Sequence, residues 1–453
     1  MKAVMLRRRF FRKLSPPQLI ALSFALISLL GGVLLSMPAT HAPGVRLTFL
    51  QALFMATSAV CVTGLVVVPT GETFNLLGQI ILLLLMQIGG LGIVTFGTLF
   101  ALLAGRRIGF GDRVRLAEQT GAFDVGSVAR LIRLIVLYTL AFEALGALVL
   151  YSRFGPLEGW GTGAYYAIFY SVSAFNNGGF TLYSDSLERF AGDPVISLTV
   201  ATLVILGGLG FLVVVNLAAW RASGRSNVLL TYSKIVLLMT AILLPLGMLG
   251  FAALEWTNPQ SLGTLPLWEK LIVSFFESTT PRSSGFNTVD YSLLRPATLM
   301  FTIILMFIGA SPGSTGGGIK VTTLFVLILA SWSMIRGRGE PQAFQRRIDT
   351  ETIVRALVVT VLSLALVNGA LVLMVLANPK LPFLNLLFET VSAFGTVGLS
   401  MGTTAQLSEW GQGIVIALMY LGRVGPLTFA VAFSTHGRHR LVSYPAEKNI
   451  LIG

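Results

Sequence analysis

Four eleven-residue segments hold the residues best suited to chemistry. They read Phe-Met-Ala-Thr-Ser-Ala-Val-Cys-Val-Thr-Gly64, Phe-Tyr-Ser-Val-Ser-Ala-Phe-Asn-Asn-Gly-Gly179, Phe-Phe-Glu-Ser-Thr-Thr-Pro-Arg-Ser-Ser-Gly285 and Phe-Glu-Thr-Val-Ser-Ala-Phe-Gly-Thr-Val-Gly398. Aligned on the last glycine, each has a hydroxyl six positions earlier (Ser58, Ser173, Thr279, Ser392) and a large apolar residue just after (Leu65, Phe180, Phe286, Leu399). A dehydrated monovalent cation needs several oxygen ligands, and main-chain carbonyls aimed at one axis can replace its water shell. Glycine permits the dihedrals and the close approach this requires. The candidate ion ligands are therefore Val62, Thr63 and Gly64; Asn177, Gly178 and Gly179; Ser283, Ser284 and Gly285; and Thr396, Val397 and Gly398, with K⁺ bound by carbonyls just ahead of the glycines. A lone glycine is as readily a tight turn or a helix-packing contact. Four in one register favour the ion site.

Thr396-Val397-Gly398 repeats the opening of the potassium-channel filter sequence, but Leu399 and Ser400 replace the tyrosine and second glycine that follow there. Fewer coordination layers and looser selectivity are expected. Positioning these segments falls to long apolar runs, such as Leu19 to Met37, Leu76 to Leu103, Leu131 to Tyr151 and Leu198 to Trp220, each long enough to cross a bilayer. Some 25 to 29 residues past each glycine comes a second marker: Ile-Gly-Gly90-Leu-Gly, Leu-Gly-Gly208-Leu-Gly, Ile-Gly-Ala310-Ser-Pro-Gly and Leu-Gly-Arg423-Val-Gly. The pattern predicts an all-α polytopic membrane protein of four tandem helix, pore-loop, helix repeats (15–107, 108–226, 227–349 and 350–435). Eight spanning helices and four re-entrant loops would surround one central pore with pseudo-fourfold symmetry. The short segments cannot span, so they should dip in and return, which is tolerated only where protein buries them or water lines them. Each basic linker belongs in the cytoplasm, so all four repeats share one orientation, as rotation about the membrane normal requires.

Composition agrees with a membrane solvent: the 453 residues are 54% hydrophobic and 11% charged, with a mean hydropathy of +0.81. The net charge of +13 reflects the positive-inside bias rather than nucleic-acid binding, since 23 of the 32 Lys and Arg fall on the N-terminal side. That side includes the basic segment 1–14 and the tail 436–453, placing both termini in the cytoplasm. The opposite side has six basic residues against eleven acids, a field that concentrates cations. The first apolar run follows Arg7, Arg8, Arg9, Arg12 and Lys13 and continues without a cleavage site, so it is read as a retained helix in the cytoplasmic (inner) membrane. The single cysteine, Cys61, excludes an internal disulfide and is read as a small buried residue. His41, His436 and His439 fall outside the long runs, and Glu143 is the only acid deep in one, so an intramembrane enzyme lacks its acid, base and nucleophile.

Arg282, Lys320 and Arg423 belong to neither side. Arg423 lies deep in a run expected as one helix from near Gln412 to Phe433, where an arginine costs roughly 2.5–3.5 kcal/mol on insertion scales. The aligned Gly90, Gly208 and Ala310 are small, so a lone guanidinium there should face the pore and repel K⁺ below the filter; pairing with a carbonyl is the alternative. Residues 309–318 hold five glycines, two serines, Thr315 and Pro312, so the second helix of the third repeat is expected to break. Gly313, Ser314, Thr315, Gly316, Gly317 and Gly318, followed by Lys320, would form a polar gate; a packing kink is the other reading. The helix from Ile319 to Ile335 runs into the basic stretch 336–347, giving a soluble partner a lever on the gate. Arg282 is read as bracing the filter through carbonyls, Glu277 or Glu389, and Glu143 as a helix contact.

The four loops, the stretch from Gly313 to Lys320 and the Arg423 helix together resemble the Trk/Ktr/HKT superfamily of potassium transporters over roughly residues 15–435. With the first repeat directly after the N-terminus, the likeness is greatest to the Ktr-type membrane subunit. The resemblance implies a homodimer in membrane lipid with one pore per protomer, an intramembrane gate loop, and a cytosolic ring of nucleotide-binding regulatory subunits. Glycine at all four filter positions is similar to K⁺-preferring members, and Na⁺ dependence varies in the family. A Na⁺ or non-selective monovalent cation conductor of the same architecture is the alternative.

Overall fold

The computed structural model describes residues 16–92, 128–223, 229–337, 339–426 and 428. The basic segment 1–14, the repeat junctions at 107/108 and 226/227, the boundary at 435 and the tail 436–453 lie outside these residues. Among the described residues the secondary structure is helical apart from one short antiparallel hairpin, Gln342–Ala343 with Arg346–Arg347.

One order recurs four times. The first set is α1 (Pro16–Leu35), α2 (Phe49–Cys61) and α3 (Leu76–Leu91). The second is α4 (Val128–Glu158), α5 (Trp160–Phe175), α6 (Pro194–Gly208) and α7 (Phe211–Ser223). The third is α8 (Thr231–Glu255), α9 (Leu267–Thr279), α10 (Pro296–Phe307) and α11 (Val321–Ile335). The fourth is α12 (Thr350–Ala377), α13 (Phe383–Gly395) and α14 (Glu409–Val424). Local chemistry fixes several starts: Thr48 and Gln51 form a capping box on α2, while Asn75, Asp193 and Ser408 cap α3, α6 and α14.

Only the first helix of each set is by itself long and apolar enough to cross a membrane, among the described residues. Among the described residues the third helix is interrupted in the second, third and fourth sets, which corrects the expectation of one broken helix. α3 ends at Gly92 (φ 83°) and α14 at Gly425 (φ 90°), with Pro426 and Thr428 helical again. α6 and α7 meet at 93° across Leu209 and Gly210 (φ 89°). In the third set the chain passes Gly313 (φ 66°) and Gly318 (φ 70°) between α10 and α11. The last glycine of each marker thus takes the left-handed conformation that other residues adopt only at a cost. A hydropathy run stays apolar across such a bend, so the run alone conceals it.

The short second helices form the centre: α2 is buried from Phe54 to Cys61 and α13 from Phe388 to Gly395. The long first helices form the exterior and expose leucines such as Leu26, Leu148, Leu249 and Leu376, an arrangement suited to hydrocarbon surroundings. Between sets, α3 packs on α5, α6 on α9, α10 on α13 and α14 on α2. The fourth set therefore closes a circle with the first.

Candidate functional site

At the centre of that circle the four glycines meet. A Cβ built on Gly64 would lie 2.9 Å from Gly178 O and from Gly179 Cα; one on Gly179 would lie 2.8 Å from Ser284 O and 2.9 Å from Gly285 Cα. One on Gly285 would lie 2.9 Å from Gly179 Cα and 3.1 Å from Val397 O, and one on Gly398 would lie 2.2 Å from Thr63 O. Each glycine therefore faces the carbonyl just ahead of the next set's glycine, and the last returns to the first. All four have positive φ, between 68° and 92°. Only glycine combines that dihedral with that lack of room.

The residue two places earlier is also left-handed in every set: Val62 (φ 55°), Asn177 (φ 60°), Ser283 (φ 79°) and Thr396 (φ 48°). Non-glycine residues rarely adopt this region, and such strain persists only where the surroundings over-determine it. The intervening Thr63, Gly178, Ser284 and Val397 are not left-handed, so the sign of φ alternates along each loop. Hydroxyls six positions before the glycine hold three of the loops. Ser58 Oγ and Ser392 Oγ accept from the N–H of Gly64 (3.1 Å) and Gly398 (3.2 Å), and Ser173 Oγ accepts from Phe180 N (3.1 Å) and donates to its carbonyl (2.9 Å). Thr279 departs from the pattern and donates to Phe275 O in its own helix (3.0 Å).

Residues 308–320 fold back beneath this ring. Gly309 N donates to Ile319 O (2.8 Å), so the segment leaves and rejoins the helical path at one level. Its first half docks in the α6–α7 bend: Ser311 N donates to Gly208 O (3.3 Å), Thr315 N to Gly207 O (3.4 Å), and Phe211 N to Gly313 O (3.1 Å). Ser314 Oγ donates to Ser311 O (2.6 Å). Its tip touches the ring: Gly317 N donates to Thr396 Oγ1 (2.9 Å) and Ser283 Oγ (3.2 Å), and Ser283 Oγ donates to Thr396 O (2.6 Å). A Cβ on Gly316 would lie 2.8 Å from Ser283 Cβ, and one on Gly318 would lie 3.4 Å from Gly395 Cα.

Two cationic side chains hold the same tip. Lys320 Nζ donates to Gly316 O (2.7 Å) and Gly317 O (3.3 Å). Arg423 donates to Thr315 O through Nη1 and to Gly89 O through Nη2. Arg423 stands in the last turn of α14, not in mid-helix as the sequence suggested, and α14's C-terminal dipole favours a cation there. The carbonyl pairing left open by the sequence is present, and it ties the 308–320 segment to the first set.

Other expectations change. Arg282 meets neither Glu277 nor Glu389; its Nη2 donates to Thr240 Oγ1 on α8 (3.3 Å). The two buried glutamates brace the outer chain instead. Glu277 accepts from Thr288 N (2.8 Å) and Tyr291 OH (2.6 Å), and Glu389 from Ser400 Oγ (2.9 Å) and Thr404 Oγ1. Above the ring a cavity of about 250 Å³ opens, lined in part by the four glycines, Tyr183 and Asn287. Beside it Glu188 accepts from Asn287 Nδ2 (2.8 Å), with Asp185 and Asp290 near.

Comparison with known proteins follows this geometry. The TrkH family, described as cation transport protein, matches residues 28–444. The chain is 40% identical to the Ktr system potassium uptake protein B of Bacillus subtilis (strain 168) over 93% of its length and 94% of that protein's. It is 41% identical to the protein of that name from Vibrio alginolyticus over 96% and 95%, and 37% identical to the potassium/sodium uptake protein NtpJ of Enterococcus hirae over 99% of both. The crystal structure of the potassium transporter TrkH from Vibrio parahaemolyticus superposes with a TM-score of 0.70 at 15% identity, covering 92% of this chain and 84% of that one, which establishes a shared fold. By sequence and by fold, the chain belongs to the TrkH family of cation transport proteins and not to a family of enzymes.

Proposed function

We propose that this chain is the ion-conducting subunit of a potassium uptake system, moving K⁺ through one pore built from its four sets. The observation that carries this is the closed ring in which Gly64, Gly179, Gly285 and Gly398 each abut the carbonyl of the next set. The ligands are the carbonyls of Val62-Thr63, Asn177-Gly178, Ser283-Ser284 and Thr396-Val397, which replace the water shell of the ion. The hydroxyls of Ser58, Ser173 and Ser392 pre-organise three of the loops, so little reorganisation is needed when K⁺ arrives. Acidic side chains outside raise the local cation concentration.

Beneath the filter, the segment from Gly313 to Gly318 is the gate. Its closed position is held by Arg423, Lys320, Ser283 and Thr396, and Arg423 adds a positive charge to the path. The four sets act as pseudo-fourfold repeats at 15–107, 108–226, 227–349 and 350–435, with α2, α5, α9 and α13 as re-entrant pore helices. Both termini lie in the cytoplasm, two protomers associate in the membrane, and a cytosolic ring of nucleotide-binding subunits acts on the gate through α11 and the stretch after it. The names of the Ktr relatives support K⁺; that of NtpJ supports a mixed K⁺ and Na⁺ conductor as the second reading.

Flux of K⁺ and Na⁺ into liposomes holding the purified chain separates the two. Faster K⁺ than Na⁺ uptake is expected. Equal rates establish the mixed conductor, and no cation flux overturns the ring as a conduction site.

A further inference from the structure

The C-terminus of α5 is held by a polar node with no counterpart in the other three sets. Asn176 caps this helix, is fully buried and directly precedes the filter residue Asn177. Its Nδ2 lies 2.9 Å from each of three acceptors: Val172 O in α5, Gln87 Oε1 on α3 and Glu143 Oε1 on α4. Gly90 makes room for this side chain, since a Cβ there would fall 2.1 Å from Asn176 Oδ1. A second link joins α5 to α4, as Ser171 Oγ donates to the main-chain oxygen of Glu143 (2.6 Å).

Glu143 is only 6% exposed, and no cationic side chain pairs with it among the described residues. A carboxylate so placed is costly unless its hydrogen bonds are firm. Three positions before the ring glycine, the other sets carry Cys61, Arg282 and Gly395. None of them joins three helices.

We propose that Glu143 is a specificity-determining positioning residue, acting through Asn176 on the carbonyls of Asn177 and Gly178. The inference rests on the reading of the ring as a K⁺ filter. One amide group has two hydrogens for three acceptors, and the Glu143 carboxyl oxygen is the one that reaches it from α4. Glu143 therefore decides how Asn176 turns, and with it the direction of the next peptide. Asn177 needs that restraint. It is left-handed, and its own side-chain oxygen and nitrogen are both buried without a partner, whereas Ser283 and Thr396 hold each other in the third and fourth sets. In the second loop Ser173 fastens the chain at Phe180, beyond the ring glycine, and the side-chain fastening just ahead of Asn177 is that of Asn176.

The test compares K⁺ and Na⁺ flux in liposomes for the unsubstituted full chain and for E143Q, E143A and N176A, at matched amounts of folded protein. Glu143→Gln keeps an acceptor oxygen at the same place and is expected to hold the K⁺/Na⁺ ratio within about twofold. Glu143→Ala and Asn176→Ala are expected to lower it about tenfold, equivalent to about 1.4 kcal/mol of discrimination, while cation flux continues. If Glu143→Ala does not fold, Gln87→Leu on the half-buried third arm is read in its place, with about a threefold fall. A native ratio in Glu143→Ala, or in Gln87→Leu where that stands in, overturns the inference. An equal fall in Glu143→Gln overturns it in favour of a purely electrostatic role. A missing K⁺ preference in the unsubstituted chain is a different failure, that of the filter reading itself.

Discussion

Alanine at Gly398 and alanine at Gly285 add one methyl group to the same ring, yet their consequences should differ about tenfold. At Gly398 the new carbon falls 2.2 Å from Thr63 O, so that carbonyl must retreat about 1.2 Å to reach ordinary contact at 3.4 Å. At Gly285 the nearest atom is Gly179 Cα at 2.9 Å, and about 0.5 Å suffices. Both positions also carry the left-handed penalty, about 1–2 kcal/mol, at φ 92° and 77°. Overpacking adds about 1–3 kcal/mol, with Gly398 at the upper end because a backbone carbonyl, not a flexible side chain, has to move. The two substitutions therefore differ by about 1–2 kcal/mol, or about tenfold in K⁺ discrimination. Tracer flux of K⁺ and Na⁺ into liposomes reads the ratio directly. Gly285→Ala should keep a reduced K⁺ preference, and Gly398→Ala should fall at least tenfold below it. Equal ratios, or a native ratio in Gly398→Ala, would refute the view that the Thr63 carbonyl is an ion ligand held in place by the ring.

Replacing Arg423 by Ala frees the Thr315 and Gly89 carbonyls, each hydrogen bond to a charged group being worth about 1.5–3 kcal/mol, and should raise basal cation flux; reduced flux at native protein yield would contradict the gating role. Deleting Ser314 to Gly317 removes the contacts to Ser283 and Thr396, so basal flux should rise and respond less to a regulatory partner, and flux that stays native in both respects would show a packing kink. Burial and then nearby Asp290, with Asp185 adding to it, hold the Glu188 carboxyl above the ordinary carboxylate range, against the Asn287 amide. Glu188 therefore gains its proton early as pH falls, and K⁺ uptake at limiting K⁺ should decline through that window in the native chain but not in Glu188→Gln; parallel pH profiles would remove it from the uptake path. Because the folded-state value lies above the unfolded one, this group's stabilising contribution is full below the unfolded value and is lost as pH rises through the folded one, so thermal stability should improve over the same acid range in which uptake falls.

The glycines were legible because only glycine suits a backbone that must turn left-handed and touch another backbone, and four such positions in one register leave a mark in the sequence. The hydroxyls of Ser58, Ser173 and Ser392 were legible as a recurring position, but Thr279 shows that the position alone does not fix the bond. The strained dihedrals of Val62, Ser283 and Thr396 leave no signal, since the β-branched Val62 and Thr396 argue against that region, Ser283 has no preference for it, and only Asn177 favours it. The breaks at Gly210, Gly313 and Gly425 fall on the last glycine of their markers, and Gly92 shares the positive φ. Hydropathy does not reveal them, because apolar residues continue on both sides of a glycine such as Gly210 and hydropathy has no sensitivity to direction. Arg423 was recognised as exceptional from its apolar surroundings alone. Its partners are main-chain carbonyls, which any residue supplies, so no side chain in the sequence announces them.

The contact between α14 and α2 sets a constraint on how the chain is made. Arg423 reaches Gly89 across 334 residues, and Tyr420 OH donates to Ala21 O across 399 residues (2.8 Å). At a translation rate of about 5–20 residues per second, the first loop emerges roughly 20–70 s before the segment that completes its surroundings. During that interval Thr63 and Gly64 have no Gly398 to face, and α2 borders a gap that α14 will later fill. A ribosome stalled before Phe383 would release three loops that cannot close on one another, whatever their individual quality. The ring thus cannot close until its fourth loop has been made, although a quarter of it is made near the beginning.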